Sequence, residues 1–221
     1  MDKPVNATSA SRNKEERFFL VVVLALAAGA GIGSWFAAGA LKWHDAANEI
    51  APDQSRRLEN FSLTDSTGRA VTRDDVRGKI LAVSFLFTSC SLTCPEVSRR
   101  MAEIQNLTAT NDDVRLLSLT VDPRTDTPAV LTKWGARFGA DTNRWRLLTG
   151  DKARLHRLIG ASFLAPETNN PFNSMPGNFA GTERIAVVDK RGKVRAYFDG
   201  LRLGTPAAVA TEIEKLRKEP L

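Results

Sequence analysis

The sequence predicts an α/β domain built on a central, largely buried sheet, preceded by one transmembrane helix. Three observations carry this. The runs 80–87 (ILAVSFLF) and 114–121 (VRLLSLTV) are near-continuous apolar stretches, the composition of strands covered on both faces. Segments with helical spacing of apolar residues alternate with them, which implies a sheet with helices on both faces and right-handed crossovers. Residues 18–41 carry no charge at all.

Taken in order, residues 1–17 form a polar N-terminal segment without periodicity. As a helix, 18–41 would be roughly 36 Å long, enough to cross a hydrocarbon core of about 30 Å. It has no polar face and so does not suit a core helix. Ala38-Gly39-Ala40 resembles a cleavage site, but the apolar stretch exceeds the roughly 7–15 residues of a secretory signal, so 18–41 reads as an uncleaved anchor. Lys3, Arg12, Lys14 and Arg17 precede it and only Lys42 closely follows, so the N-terminus is expected in the cytoplasm and the rest exported. Asp2, Glu15 and Glu16 argue against a mitochondrial transit segment, which leaves a bacterial inner membrane with the C-terminal domain in the periplasm.

Residues 42–57 read as a polar tether and 58–221 as one domain. Ser66-Thr67-Gly68 between Phe61 and Ala70 signals a hairpin. Val97, Met101, Ile104 and Leu107 fall at helical spacing in 95–107. Val130, Leu131, Trp134 and Phe138 do the same in 127–138. A short strand over 144–148 precedes a helix over 151–159 with Asp151 as its cap. Strands 184–188 and 193–198 form a second hairpin around Lys190-Arg191-Gly192. A closing helix spans 205–218, with Thr205 as cap and Pro206 at its first position. Residues 165–180 form a long loop rich in Asn, Pro and Gly, a length that points to function or mobility.

Composition removes several classes. The 221 residues are 43% hydrophobic and 25% charged, which suits a globular chain. Two cysteines exclude a disulfide scaffold and a Cys₄ zinc site, and two histidines, His44 and His156, exclude a His-rich metal site. The net charge of +6 comes from 31 Lys and Arg interleaved with 25 Asp and Glu. Without a basic stripe, no nucleic-acid partner is expected.

The chemistry gathers in Thr88-Ser89-Cys90-Ser91-Leu92-Thr93-Cys94-Pro95. Both cysteines follow the first buried strand and open the next helix, and sites in open α/β sheets collect at the carboxyl ends of strands. Cys94 falls at a helix N-terminus, whose dipole favours a thiolate. Three intervening residues let two thiols face each other, as an internal disulfide or as a two-thiolate site for a soft ion such as Cu(I). A bridge closing so short a loop would add little stability, so a purely structural disulfide is the weaker reading.

Phe87-Thr88-Ser89-Cys90-x-x-x-Cys94-Pro95 resembles the signature of the SCO/SenC family of thioredoxin-like, membrane-anchored proteins. Thr120-Val121-Asp122-Pro123-Arg124-Thr125-Asp126-Thr127-Pro128 is similar to its second motif, with Asp126 expected to cap the helix that Thr127 and Pro128 open. The resemblance extends over nearly all of 58–218. It implies a thioredoxin-like fold with an N-terminal β-hairpin. It also implies copper bound by two cysteines and one histidine, and service to the dinuclear copper centre of cytochrome c oxidase, as copper donor or as keeper of its thiols. Some members look more like thiol–disulfide reductases or redox sensors.

The sequence departs from the family at one point. Counting back from Val187-Val188-Asp189 places the family's histidine at Gly181, and no histidine occurs in 163–221. Copper then has Cys90 and Cys94 as ligands, with Met175 as the candidate thioether substitute in the long loop. Cu(II), which favours nitrogen, suits this set less than Cu(I). His156 reads as an ordinary helix side chain and His44 as interfacial. Without copper, Cys90 and Cys94 would act as a redox dithiol toward the copper-site subunit of the oxidase or another exported thiol protein. One thiolate would attack a partner disulfide and the other resolve it. No proline stands immediately before Arg184, where thioredoxin places a cis-proline.

Overall fold

The computed structural model describes residues 49–50, 56–163 and 183–220. The N-terminal segment, the 18–41 stretch expected to be an anchor, most of the expected tether, His44, Met175 and Gly181 lie outside the described residues. Among the described residues no helix is long and apolar enough to cross a membrane.

The elements run β1 (Glu49–Ile50), β2 (Ser62–Asp65), β3 (Ala70–Thr72), β4 (Ile80–Leu86), α1 (Thr93–Leu107), β5 (Val114–Thr120), α2 (Pro128–Arg137), β6 (Trp145–Thr149), α3 (Lys152–Phe163), β7 (Arg184–Val188), β8 (Val194–Asp199) and α4 (Thr205–Arg217). The β2–β3 hairpin turns where the sequence places it. Asp65 Oδ1 accepts from the N–H groups of Thr67 (2.9 Å) and Arg69 (3.0 Å) and from the Thr67 hydroxyl (2.6 Å). Gly68 takes the positive φ of 84° that the turn requires.

One eight-stranded sheet results, in the order β1-β8-β7-β4-β5-β6-β2-β3. The central strands β4, β5 and β6 are parallel, and the flanking pairings are antiparallel. Every residue of β4 is buried, because helices cover both faces. On one face Ile80, Ala82 and Leu116 meet Val97, Met101 and Ile104 of α1, Leu131 and Trp134 of α2, and Val209 and Ile213 of α4. On the other, Leu81, Val83, Phe85, Leu117 and Leu119 meet Leu155, Leu158, Ile159 and Phe163 of α3 and the hairpin's Leu63 and Val71.

Polar groups inside this core pair with one another. Ser84 and Ser118 face each other across the β4–β5 register, with hydroxyl oxygens 2.7 Å apart. The Trp145 indole N–H donates to Ser118 Oγ at 2.9 Å. An unpaired hydroxyl here would cost about 1–3 kcal/mol, so the three groups hold as a set.

Two helix starts differ from the sequence expectation. Asp126 does not cap α2; Thr127 does, accepting from Val130 N–H, while the Asp126 carboxylate turns inward. Thr205 does not cap α4; it lies inside the helix after Gly204, and its hydroxyl donates to the Asp199 carbonyl at 2.5 Å. In the first case a donor 38 residues away wins over the local backbone partner, and in the second a carbonyl six residues upstream does. Asp151 does cap α3, accepting from Arg154 N–H at 2.9 Å.

Residues that read as tether also meet the sheet. β1 pairs with Tyr197 and Phe198, Arg57 forms a bridge with Lys193, and Arg56 Nη1 donates to the Gly160 carbonyl at 3.1 Å. A two-residue strand has no periodicity to read.

Candidate functional site

Strand β4 delivers the chain to the carboxyl end of the sheet, and the chain turns at once. Cys90 N–H donates to the Phe87 carbonyl at 3.1 Å, closing a turn over 87–90. Helix α1 then opens at Thr93, with Cys94 and Pro95 in its first turn. Proline is tolerated there because first-turn N–H groups have no partner within the helix. One such orphan, the N–H of Cys94, donates to the Cys90 sulfur at 3.3 Å. The Thr93 hydroxyl lies 3.2 Å from the same sulfur.

The two cysteines, both free thiols, are therefore brought together as the sequence expects, yet they are not alike. Cys90 is half-buried and Cys94 is 0% exposed. Burial pushes the Cys90 thiol up, but hydrogen bonds from Thr93, Cys94 and the Leu92 backbone outweigh it and bring the thiol down from 9.0 to about 7. At Cys94 burial is the dominant effect and pushes the thiol up to about 12. The position at the helix N-terminus, expected to favour a Cys94 thiolate, is thus overridden by desolvation. The helix's free N–H serves the neighbouring sulfur instead. Of the two, Cys90 is the thiol that ionises more readily and Cys94 the one that keeps its proton.

A second motif buttresses this loop. Asp126 is 0% exposed, and its carboxylate accepts from the backbone N–H of Thr88 at 3.1 Å and from its hydroxyl at 2.5 Å. The Thr120 hydroxyl, at the end of β5, donates to the other carboxylate oxygen. Thr88, Thr93 and Thr120 fall inside the motifs the sequence singles out, but their hydrogen-bonding roles escape a sequence reading, since the partners are set by how the loop folds.

His156 lies on α3 with Nε2 3.3 Å from the Val121 carbonyl oxygen. Met175 and Gly181 lie outside the described residues. Among the described residues, no three of His, Cys, Asp and Glu gather as a metal site. What the site offers on the described residues is a pair of soft sulfur donors, capable of dithiol exchange or of holding a soft cation.

A sheet of this topology with a CxxxC dithiol at its carboxyl edge defines a thioredoxin-like α/β domain. The SCO1/SenC family matches residues 51–218, and the chain belongs to that family. Among its relatives, an SCO1 protein homolog of Bacillus subtilis is 34% identical over 103 residues, covering 46% of this chain and 53% of that one. The chain thus spans about half the length of that relative. An SCO2-like protein of Rickettsia typhi is 33% identical over 151 residues, covering 67% of this chain and 73% of its own. Among solved structures, a SCO1/SenC family lipoprotein from Bacillus anthracis superposes with a TM-score of 0.62 at 25% identity, covering 74% of this chain and 96% of that one. Bradyrhizobium japonicum ScoI, solved with copper bound, superposes with a TM-score of 0.58 at 26% identity, covering 72% and 99%.

Proposed function

We propose that this chain is a membrane-anchored SCO protein that takes up Cu(I) through Cys90 and Cys94 and passes it to the copper-site subunit of cytochrome c oxidase. The carrying observation is the pairing of two free thiols at the carboxyl end of the sheet, one of them only half-buried. Family membership and the copper-bound relative support copper as cargo. Thiolates suit Cu(I), and a set lacking the family's histidine at Gly181 suits Cu(II) less. Met175 is the candidate third donor. The 18–41 anchor places the domain at the outer face of a bacterial inner membrane.

The chemistry follows from the acidity of the pair. At neutral pH Cys90 is about half ionised, while Cys94 holds its proton. Cu(I) meets the more accessible Cys90 sulfur first, and closure onto Cys94 expels the Cys94 proton. Transfer reverses these steps as partner thiolates displace the two sulfurs in turn.

A second reading is favoured by the same split in acidity. Cys90 thiolate attacks a partner disulfide, forming a mixed disulfide and releasing one partner thiolate. Cys94 loses its proton and attacks the Cys90 sulfur, releasing the second. The partner gains two electrons and this chain becomes the disulfide.

In cells lacking the gene, oxidase copper content and activity should return with the wild-type chain and not with Cys90→Ser or Cys94→Ser. Full recovery with either variant contradicts both readings. Recovery by wild type of a partner's thiol state, with oxidase copper unchanged throughout, favours the second.

A further inference from the structure

Asp126 is an expensive residue to bury. A carboxylate removed from water requires several donors, and here it has them: Thr88 N–H within 3.1 and 3.2 Å of its two oxygens, Thr88 hydroxyl, and Thr120 hydroxyl. Thr127 already caps α2, so the carboxylate is not needed for the helix it precedes. All its side-chain bonds instead reach away, to the cysteine loop on one side and the end of β5 on the other. Thr120 Oγ1 in turn accepts from Asp122 N–H at 3.0 Å, and Val121 N–H donates to the Leu86 carbonyl at 2.9 Å. The last residues of β4 and β5 are thus locked together just where the loop leaves.

Thr88 is the second residue of the 87–90 turn whose closing N–H belongs to Cys90. A grip on Thr88 therefore fixes where Cys90 stands against Cys94. We propose that Asp126 is the positioning residue of the dithiol: its buried carboxylate ties Thr88 to Thr120 and holds the turn so that the Cys90 and Cys94 sulfurs face each other. The role deepens the proposed function, since either a shared soft cation or an internal disulfide needs both sulfurs within bonding reach. Loosening the turn lowers the effective concentration of one sulfur at the other.

The test equilibrates the full chain with a glutathione redox buffer and measures the dithiol-to-disulfide ratio by alkylation and mass spectrometry. Thermal unfolding is recorded in parallel. Asp126→Asn and the isosteric Thr88→Val should each make the Cys90–Cys94 disulfide about tenfold easier to reduce, the size expected if one charge-assisted hydrogen bond is lost from the closed form. Thr88→Ser, which returns the hydroxyl, should restore the wild-type ratio. Asp65→Asn, another buried carboxylate with several donors but in the distant β2–β3 turn, should lower the unfolding temperature and leave the ratio alone. The proposal is overturned if Asp126→Asn and Thr88→Val keep the wild-type ratio, or if Asp65→Asn shifts it as much. Should Asp126→Asn fail to fold, Thr88→Val against Thr88→Ser decides. The readout contains no copper, so a failure of the unsubstituted protein to bind Cu(I) contradicts the proposed function without touching this result.

Discussion

The backbone N–H of Cys94 donates to the sulfur of Cys90 at 3.3 Å, so the first turn of α1 solvates one cysteine with a donor carried by the other. Buried Cys94 keeps its proton while half-buried Cys90 gives its up. Alkylation of the reduced protein by iodoacetamide should therefore label Cys90 alone near neutral pH. Because the thiolate is the nucleophile, the rate should rise with pH through a midpoint near 7. Peptide mapping after short labelling checks this. Equal labelling of Cys94 would contradict the assignment.

Thr93 contributes the side-chain donor to the same sulfur, at 3.2 Å. Thr93→Val keeps the shape and removes the hydroxyl. The Cys90 midpoint should move upward, toward the ordinary thiol value, so at pH 7 the labelling rate falls severalfold. Thr93→Ser should return it. Thiolate absorbance titration of the three proteins gives the order directly.

Stability rests on the polar set inside the sheet. Ser118→Ala leaves the Ser84 hydroxyl and the Trp145 indole N–H without their shared partner. The expected loss is about 1–3 kcal/mol, measured as a lower urea midpoint at unchanged slope.

Gly200 follows β8, and its N–H donates to the carbonyl of Glu183, just before β7, at 2.6 Å, where no side chain fits. A Cβ there would stand 2.7 Å from the Glu183 carbonyl oxygen and 3.0 Å from Val97 Cγ2. Gly200→Ala should cost roughly 1–3 kcal/mol, since backbone cannot yield as a flexible side chain would. Thermal unfolding checks it, and an unchanged midpoint would contradict the close approach.

Much of this fold is legible because its signals are local. The apolar 80–87 run can only be a covered strand, and Ser66-Thr67-Gly68 can hardly be anything but a turn. The adjacency of Cys90 and Cys94 also follows from spacing. The acidity of the two sulfurs does not, because it turns on how deeply α1 packs into the sheet. Asp126 shows the same limit: four residues beyond Asp122 and just before Thr127-Pro128, it reads as a cap, while its partner Thr88 stands 38 positions earlier. Thr205 misleads likewise, its hydroxyl drawn to the Asp199 carbonyl. Polar side chains near helix starts offer a local and a tertiary use, and sequence displays only the first.

The most direct measurement is an anaerobic Cu(I) titration of the reduced protein against a competing chromophoric chelator, at several pH values. We expect one equivalent per chain, lost in Cys90→Ser and in Cys94→Ser. Above the Cys90 midpoint near 7, only the Cys94 proton is displaced on binding, so affinity should rise about tenfold per pH unit; below it two protons leave and the rise steepens. Substoichiometric binding that survives loss of either cysteine would contradict the account.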